Sequence, residues 1–268
     1  MNALLYVEPA YRGRLDAAGL RSFDDLWALP WNWVEEPNQR RSGWSGATRV
    51  VIGESEPLAL FVKRQENHCY RSLAHPLRGK PTFYREWRNI GVLREAGVPT
   101  LEPIAYGERV REGRYQAVLI TVAFDGYVDL DELFANRGGL DEAARNAVLE
   151  TLARNLLRLH RAGCRHNCLA GKHLMVRMGA EPDVRLLDLE KLKHRRAWLA
   201  AAAHDLARLI RYTPTLSLAD HHHVVYEYCR GLSTGEALSL VALINHKLSR
   251  KKGARYRIAD PLMSSAAA

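Results

Sequence analysis

Residues 165–176 read RHNCLAGKHLMV, and residues 184–188 read VRLLD. A polar loop runs into the short apolar run Leu174, Met175 and Val176. A turn rich in Gly, Ala, Glu and Pro follows, and a second apolar run ends on Asp188. Two short apolar runs flanking a turn segment predict a pair of strands joined by a hairpin. That pairing returns Asp188 to the neighbourhood of the polar loop. Phosphoryl transfer uses this layout, because a loop must hold an acceptor hydroxyl near a carboxylate that holds Mg²⁺.

The rest of the chain must supply a nucleotide. Its 268 residues suit one large domain or two lobes, and 47% hydrophobic residues can fill a sizeable core. A formal charge of +9 calls for an anionic partner: a nucleotide, a nucleic acid, a phosphorylated glycolipid or an acidic membrane face. Cys69, Cys164, Cys168 and Cys229 have no disulfide-framework spacing, which predicts a reducing compartment. Glu8 and Pro9 interrupt the N-terminus before a signal core develops, and no run of 18 apolar residues occurs. The expected location is the cytoplasm, with any membrane contact peripheral.

Residues 1–40 read as an irregular N-terminal extension whose Trp27, Trp31 and Trp33 gather round Pro30. Residues 41–124 read as a strand-rich lobe, with strands at 47–53, 58–63 and 116–122 and a helix over 82–93. Residues 125–268 read as a helical lobe. Ala144, Val148, Leu152, Leu156 and Leu159 mark one face of a long helix over 141–160, and further helices are expected over 198–211, 220–231 and 235–248. A basic tail follows, over 247–257, and residues 264–268 are of low complexity. The fold class is α+β, two-lobed, with strands first and helices second.

Four groups of residues could carry chemistry. Gly43 and Gly46 precede a strand and could let backbone N–H groups approach phosphate, although an ordinary turn uses the same residues. Lys63 closes an apolar strand, where an ammonium can meet phosphates if a carboxylate fixes it, and Glu86 on the following helix is the natural tether. Thr121 and Val122, at the end of strand 116–122, are further candidates for contacting the nucleotide. Asp188 is the candidate metal ligand, its bland alternative being a turn or cap.

The loop itself departs from the usual pattern. A kinase loop carries His-Arg-Asp and, five positions after the aspartate, a second metal ligand. Aligning the apolar run places His173 at that ligand position and Cys168 in the aspartate slot, after His166 and Asn167. A one-residue shift would place Asn167 there instead. Neither supplies a carboxylate base, whose contribution is about 10²–10⁴-fold. His166 is the candidate substitute base.

Other polar groups have weaker cases. His160, Cys164, His166, Cys168 and His173 offer zinc donors but lack a Cys-x-x-Cys pair. His221, His222 and His223 point in successive directions on a helix and read as a solvated face. Asp205 either braces the catalytic loop or sits on a helix surface. Arg71, Arg78, Lys80 and the basic tail could meet anions, or form a solvated basic surface.

Taken together, these residues resemble the Kdo/WaaP-type lipopolysaccharide kinase family, in its InaA-like branch. The resemblance rests on GWSG at 43–46, FVKRQ at 61–65, Asn67 and His68, His75 and Pro76, and GKPTF at 79–83. It continues through REWRNI at 85–90, Lys172 and His173, and LDLEK at 187–191. It implies a protein-kinase-like fold, ATP as donor with Mg²⁺ (or Mn²⁺), and a sugar hydroxyl of the lipopolysaccharide core, or of another anionic sugar, as acceptor. It also implies Lys63 on phosphate, Glu86 as its partner, Asp188 on the metal, and His173 where other kinases place asparagine. Cys168 stands where active members carry aspartate, and Asn167 where arginine is usual. A contact with the inner membrane would be peripheral, and nucleic acid is not the expected partner. The expected function is an ATP-dependent phosphotransferase; the alternative is a pseudokinase that binds nucleotide or a partner without efficient transfer.

Overall fold

A computed structural model gives the fold and describes residues 3–34, 36–40, 43–72, 75–136, 139–250 and 256–259. Arg41, Ser42, the side chain of Arg78, tail residues 251–255 and residues 264–268 lie outside the described residues. The chain divides into two compact units: Met1–Gly91 with Leu101–Asp125, and Val92–Thr100 with Gly126–Ala268.

The first unit is rich in strands. In chain order it holds β1 (Leu4–Val7), α1 (Pro9–Ala17), α2 (Phe23–Ala28), β2 (Asn38–Arg40), β3 (Gly43–Ile52), β4 (Leu58–Glu66), β5 (Cys69–Ser72) and β6 (His75–Pro81). It continues with α3 (Thr82–Glu95), β7 (Pro103–Arg111) and β8 (Arg114–Val122). Among the described residues its main sheet has the order β1-β7-β8-β4-β3-β2, with antiparallel neighbours throughout.

Residues 1–40 correct the expectation of an irregular extension. β1 adds an edge strand beside β7, and α1 and α2 cover one sheet face. Leu15, Leu20, Phe23 and Leu26 pack there against Leu60, Val62, Val118 and Ile120. Burying such side chains contributes about 1.5–3 kcal/mol each, more than the propensity of a short helix containing Gly13. Ser22 and Asp25 close a reciprocal capping box that starts α2.

Strand alternation decides what the β4 side chains do. Leu60, Val62 and Arg64 share the face covered by α1 and α2, while Lys63 and Gln65 share the other. Arg64 is fully buried. Its guanidinium donates to the carbonyls of Trp27 (3.1 Å), Leu29 (2.7 Å) and Pro30 (2.6 Å) and to Thr48 Oγ1 (2.8 Å). The ring of Trp31 lies 4.5 Å away. Burial lowers the Arg64 pKa to about 10, so the side chain stays charged at neutral pH.

The second unit begins with β9 (Val128–Asp129), α4 (Leu130–Ala135), α5 (Glu142–Arg161), β10 (Cys164–Arg165), β11 (Leu174–Arg177), β12 (Asp183–Leu186) and β13 (Lys193–His194). It ends with α6 (Trp198–Tyr212), α7 (Leu218–Arg230) and α8 (Thr234–Ser249). The predicted long helix appears as α5, with Val148, Leu152, Leu156 and Leu159 buried. Capping boxes begin α7 (Ser217 with Asp220) and α8 (Ser233 with Glu236). β11 and β12 form the expected hairpin, in the register Leu174 with Leu186 and Val176 with Val184. Asn155 of α5 donates to the Val184 carbonyl, tying the hairpin to the core.

The histidine run corrects another expectation. His221 is buried rather than solvated, His222 Nε2 donates to the Arg257 carbonyl, and His223 is half-buried near Glu150. Among the described residues, no helix is long and apolar enough to cross a membrane.

Candidate active site

In the strand-rich unit, Lys63 Nζ lies 2.7 Å from Glu86 Oε1, and the Glu86 side chain is only 4% exposed. The pair is positioned by Gln65, which shares the Lys63 face of β4. Its Oε1 accepts from Thr82 Oγ1 (2.8 Å) and from the Phe83 N–H (3.0 Å) at the start of α3. One strand therefore supplies both the cap that fixes α3 and the cation that meets the carboxylate one turn later.

Four nucleotide candidates in this unit sit in packed or bonded positions. Gly43 and Gly46 are residues of β3 rather than of a phosphate loop. A Cβ on Gly46 would come within 2.6 Å of the Trp33 ring, and one on Gly43 within 2.6 Å of the Asn67 backbone. Both glycines exist for close packing. Thr121 is fully buried, and the Val122 N–H is donated to the Glu102 carbonyl (2.9 Å). Neither residue offers a ligand contact through those groups.

In the helical unit, Gly163 takes φ +70° and turns the chain out of α5 into the loop. Asp205 of α6, fully buried, braces that loop. Its Oδ2 accepts from the His166 N–H (2.6 Å) and its Oδ1 from the Asn167 N–H (3.0 Å). His160 Nε2 lies 3.3 Å from Oδ2, and its Nδ1 is 3.0 Å from the Tyr228 hydroxyl. Burial alone would raise the Asp205 pKa, but the bonds from His160 and His166 outweigh it and hold the carboxyl below its ordinary range. The bracing alternative is thus the observed one.

The ring of His166 points inward. It is fully buried, and its Nε2 lies 2.7 Å from the Leu187 carbonyl. A carbonyl only accepts, so Nε2 carries the proton. Burial lowers the pKa of this ring. His166 therefore positions the strand end before Asp188 and does not reach an acceptor as a base.

Cys168 is 6% exposed, and its thiol donates to the Asp188 carbonyl at 3.3 Å. Burial, with the Asp188 charge beside it, pushes the thiol pKa far above neutrality. It is a neutral hydrogen-bond donor, which corrects its expected place as a catalytic group. Asp188 takes φ +57°, a left-handed conformation in which aspartate is among the tolerated residues.

His173 stands beside Asp188. Its Nδ1 donates to the Cys168 carbonyl at 2.7 Å, which leaves Nε2 unprotonated in the neutral ring. That Nε2 lies 3.6 Å from Asp188 Oδ2. Cys168, His173 and Asp188 place one donor atom each within 4.8 Å of one another. A backbone acceptor that fixes the outer nitrogen of a histidine is the usual support of a metal ligand. The donors His173 and Asp188 fit a divalent ion, whereas the neutral Cys168 thiol does not favour a hard one. The other residues of the Cys/His run point elsewhere: His160 to Asp205, and Cys164 to His194 at 3.9 Å.

Sequence reasoning missed the positioning roles of Gln65, Asn155 and His160. Each left a signal. Gln65 lies two positions beyond Lys63, on the same strand face, and the other two are polar residues on the apolar stripe of α5.

Comparisons with known proteins bear on the family and the fold. Residues 24–228 match the Lipopolysaccharide kinase (Kdo/WaaP) family. Protein InaA of Escherichia coli (strain K12) is 32% identical over 209 residues, which is 77% of this chain and 94% of that protein. The solved structure of WaaP in complex with acyl carrier protein matches with a TM-score of 0.63 at 23% identity, over 93% of this chain and 99% of that one. At that identity the structural match speaks to the fold, which is protein-kinase-like. With three quarters of its length inside the family match, and a 32% identical relative covered over 94% of that protein's length, this chain belongs to the lipopolysaccharide kinase (Kdo/WaaP) family.

Proposed function

We propose that this chain is an ATP- and divalent-metal-dependent phosphotransferase acting on a sugar hydroxyl of an anionic glycolipid, and that it works without a carboxylate base. The observation that carries the reading is the His173–Asp188 pair, whose fixed tautomer leaves a lone pair beside a carboxylate. Lys63, tethered by Glu86, is the group for nucleotide phosphates in the strand-rich unit. His173 and Asp188 would hold Mg²⁺ or Mn²⁺ in the helical unit. The ion, when bound, neutralises charge on the transferring phosphoryl group.

Phosphoryl transfer rests mainly on positioning and charge neutralisation, so a missing base lowers the rate by about 10²–10⁴-fold rather than abolishing it. A second reading is favoured by Cys168, whose buried neutral thiol cannot take a proton from an acceptor. In that reading the chain is a pseudokinase that engages nucleotide or a partner without efficient transfer. Both readings retain a working nucleotide pocket, whether or not a partner is also engaged.

ATP with Mn²⁺ at millimolar concentration should therefore raise the melting temperature. Lys63→Ala should remove the shift. Because that change also leaves the buried Glu86 unpaired, the double variant Lys63→Met/Glu86→Gln serves as the folded control and should show no shift either. A wild-type protein indifferent to nucleotide would end both readings. Turnover with core oligosaccharide fractions, followed by mass spectrometry for an added phosphate, separates the two.

A further inference from the structure

β10 and β13 form a short antiparallel ribbon beside the catalytic loop, and their register sets Arg165 opposite Lys193. Like charges directly opposite across a strand pair destabilise it. Yet the ribbon is held by other bonds: the Arg195 N–H meets the Gly163 carbonyl, and Asn167 Nδ2 donates to the Lys191 carbonyl at 2.7 Å. The chain thus fixes two cations against each other three residues from Cys168.

Neighbouring cations are left in the same condition. Arg195 and Arg196 follow β13 and are exposed. Arg208 of α6 lies over the Tyr212 ring at 4.6 Å. The Nε atoms of Arg165 and Arg208 are buried with no hydrogen-bond partner. Among the described residues none of Arg165, Lys193, Arg195, Arg196 and Arg208 has a carboxylate within ion-pair distance. By contrast, Arg145, Arg161, Arg177, Arg185 and Arg230 of the same unit each face one. Asp205 compensates only in part: its charge favours the Arg165 cation, but burial and the neighbouring Arg195 outweigh it, and its oxygens already accept from His160 and two backbone N–H groups. Arg165 and Arg208, with Lys247, also help depress the pKa of His204, after burial, so their fields overlap there.

We propose that this ribbon, with Arg208 beside it, is the docking site for the phosphate or carboxylate groups of an acidic saccharide. Its anionic oxygens would bridge Arg165 and Lys193, which no protein carboxylate does. The ribbon runs directly into the loop that ends at His173. This inference rests on the phosphotransferase reading for its purpose. It does not rest on it for its chemistry.

Isothermal titration without nucleotide tests it. The probe is a core oligosaccharide released by deacylating purified lipopolysaccharide, with its phosphates intact or removed by hydrofluoric acid. The intact probe should bind at least tenfold more tightly than the stripped one, and binding should weaken as salt rises. The triple variant Lys193→Gln/Arg195→Gln/Arg196→Gln should lose at least tenfold while keeping the nucleotide-induced melting shift. Lys193→Glu should raise the melting temperature, by opposing Arg165 with a carboxylate, and at the same time weaken the probe. A ribbon with a purely structural role would not couple those two changes.

Vesicles of phosphatidylethanolamine carrying the intact glycolipid should be retained as the soluble probe is. Equal affinity for the two probes, or a triple variant that binds like wild type, overturns the proposal. So does tighter, variant-sensitive binding of phosphatidylglycerol vesicles or of a 20-nucleotide single-stranded DNA. If the nucleotide shift fails while probe binding holds, the kinase reading falls and the docking site stands.

Discussion

Cys168 shows how one side chain can keep a loop's shape while changing its chemistry. Its thiol donates to the Asp188 carbonyl, so the backbone path into Asp188 is held without an acid at position 168. Cys168→Asp should raise turnover of ATP with an acceptor sugar at least tenfold, measured as phosphate incorporation, provided circular dichroism shows the variant folded. An unchanged rate would place the proton acceptor at another residue. The pairings of Lys63 with Glu86 and of His173 with Asp188 were legible in the sequence, because each residue keeps a fixed spacing from an apolar run, although β4 continues to Glu66, so Lys63 does not close its strand. The role of His166 was not legible. Whether a histidine serves as base or brace depends on where its ring points, and here that is set by the carbonyl of Leu187, twenty-one positions away. Gly46 misled for a related reason: the ring that demands a glycine belongs to Trp33, in a segment that reads as irregular.

At the level of elements, α3 is the part whose placement matters most, and its start depends on a side chain from outside the helix. Gln65 accepts from Thr82 and Phe83, taking the place of a local cap. Gln65→Ala should cost about 1 kcal/mol of stability in chemical denaturation, the usual cost of a lost cap. It should also shrink the nucleotide-induced melting shift, because Glu86 rides on the same helix. A melting shift equal to wild type would show that α3 is anchored elsewhere. The α5 helix was read correctly from its period, since one face alone is buried. β7 was not read at all. Pro103 through Glu108 are all buried, so the strand shows no alternation between apolar and polar positions. α1 escaped for the opposite reason, because only Leu15 of its nine residues is buried and its stripe is too thin to register.

For the molecule as a whole, buried histidine makes stability depend on pH. His221 of α7 is 1% exposed and lies near the Tyr256 ring, with Asp220 and His222 beside it. Burial lowers its pKa to about 4, against the opposing pull of Asp220. The unfolded chain, with a histidine near its ordinary value of about 6.5, binds the proton more readily. Stability is therefore full above about pH 6.5 and falls as pH drops towards 4, by up to about 3 kcal/mol from this group. Melting curves from pH 7.5 to 4.5 should show the decline, and His221→Leu should flatten it. Parallel profiles for the two proteins would assign the decline to other groups, with the buried His166 next to test.

The caged guanidinium of Arg64 carries a consequence for the ends of the chain. Three of its four oxygen partners are backbone carbonyls between Trp27 and Pro30. A protein clipped by a protease after residue 30 would still contain Lys63, Glu86 and the strands around them. It would also contain a permanent positive charge stranded in a greasy interior once the clipped peptide departs. Such nicking would undermine the strand that carries Lys63 without touching Lys63 or Glu86.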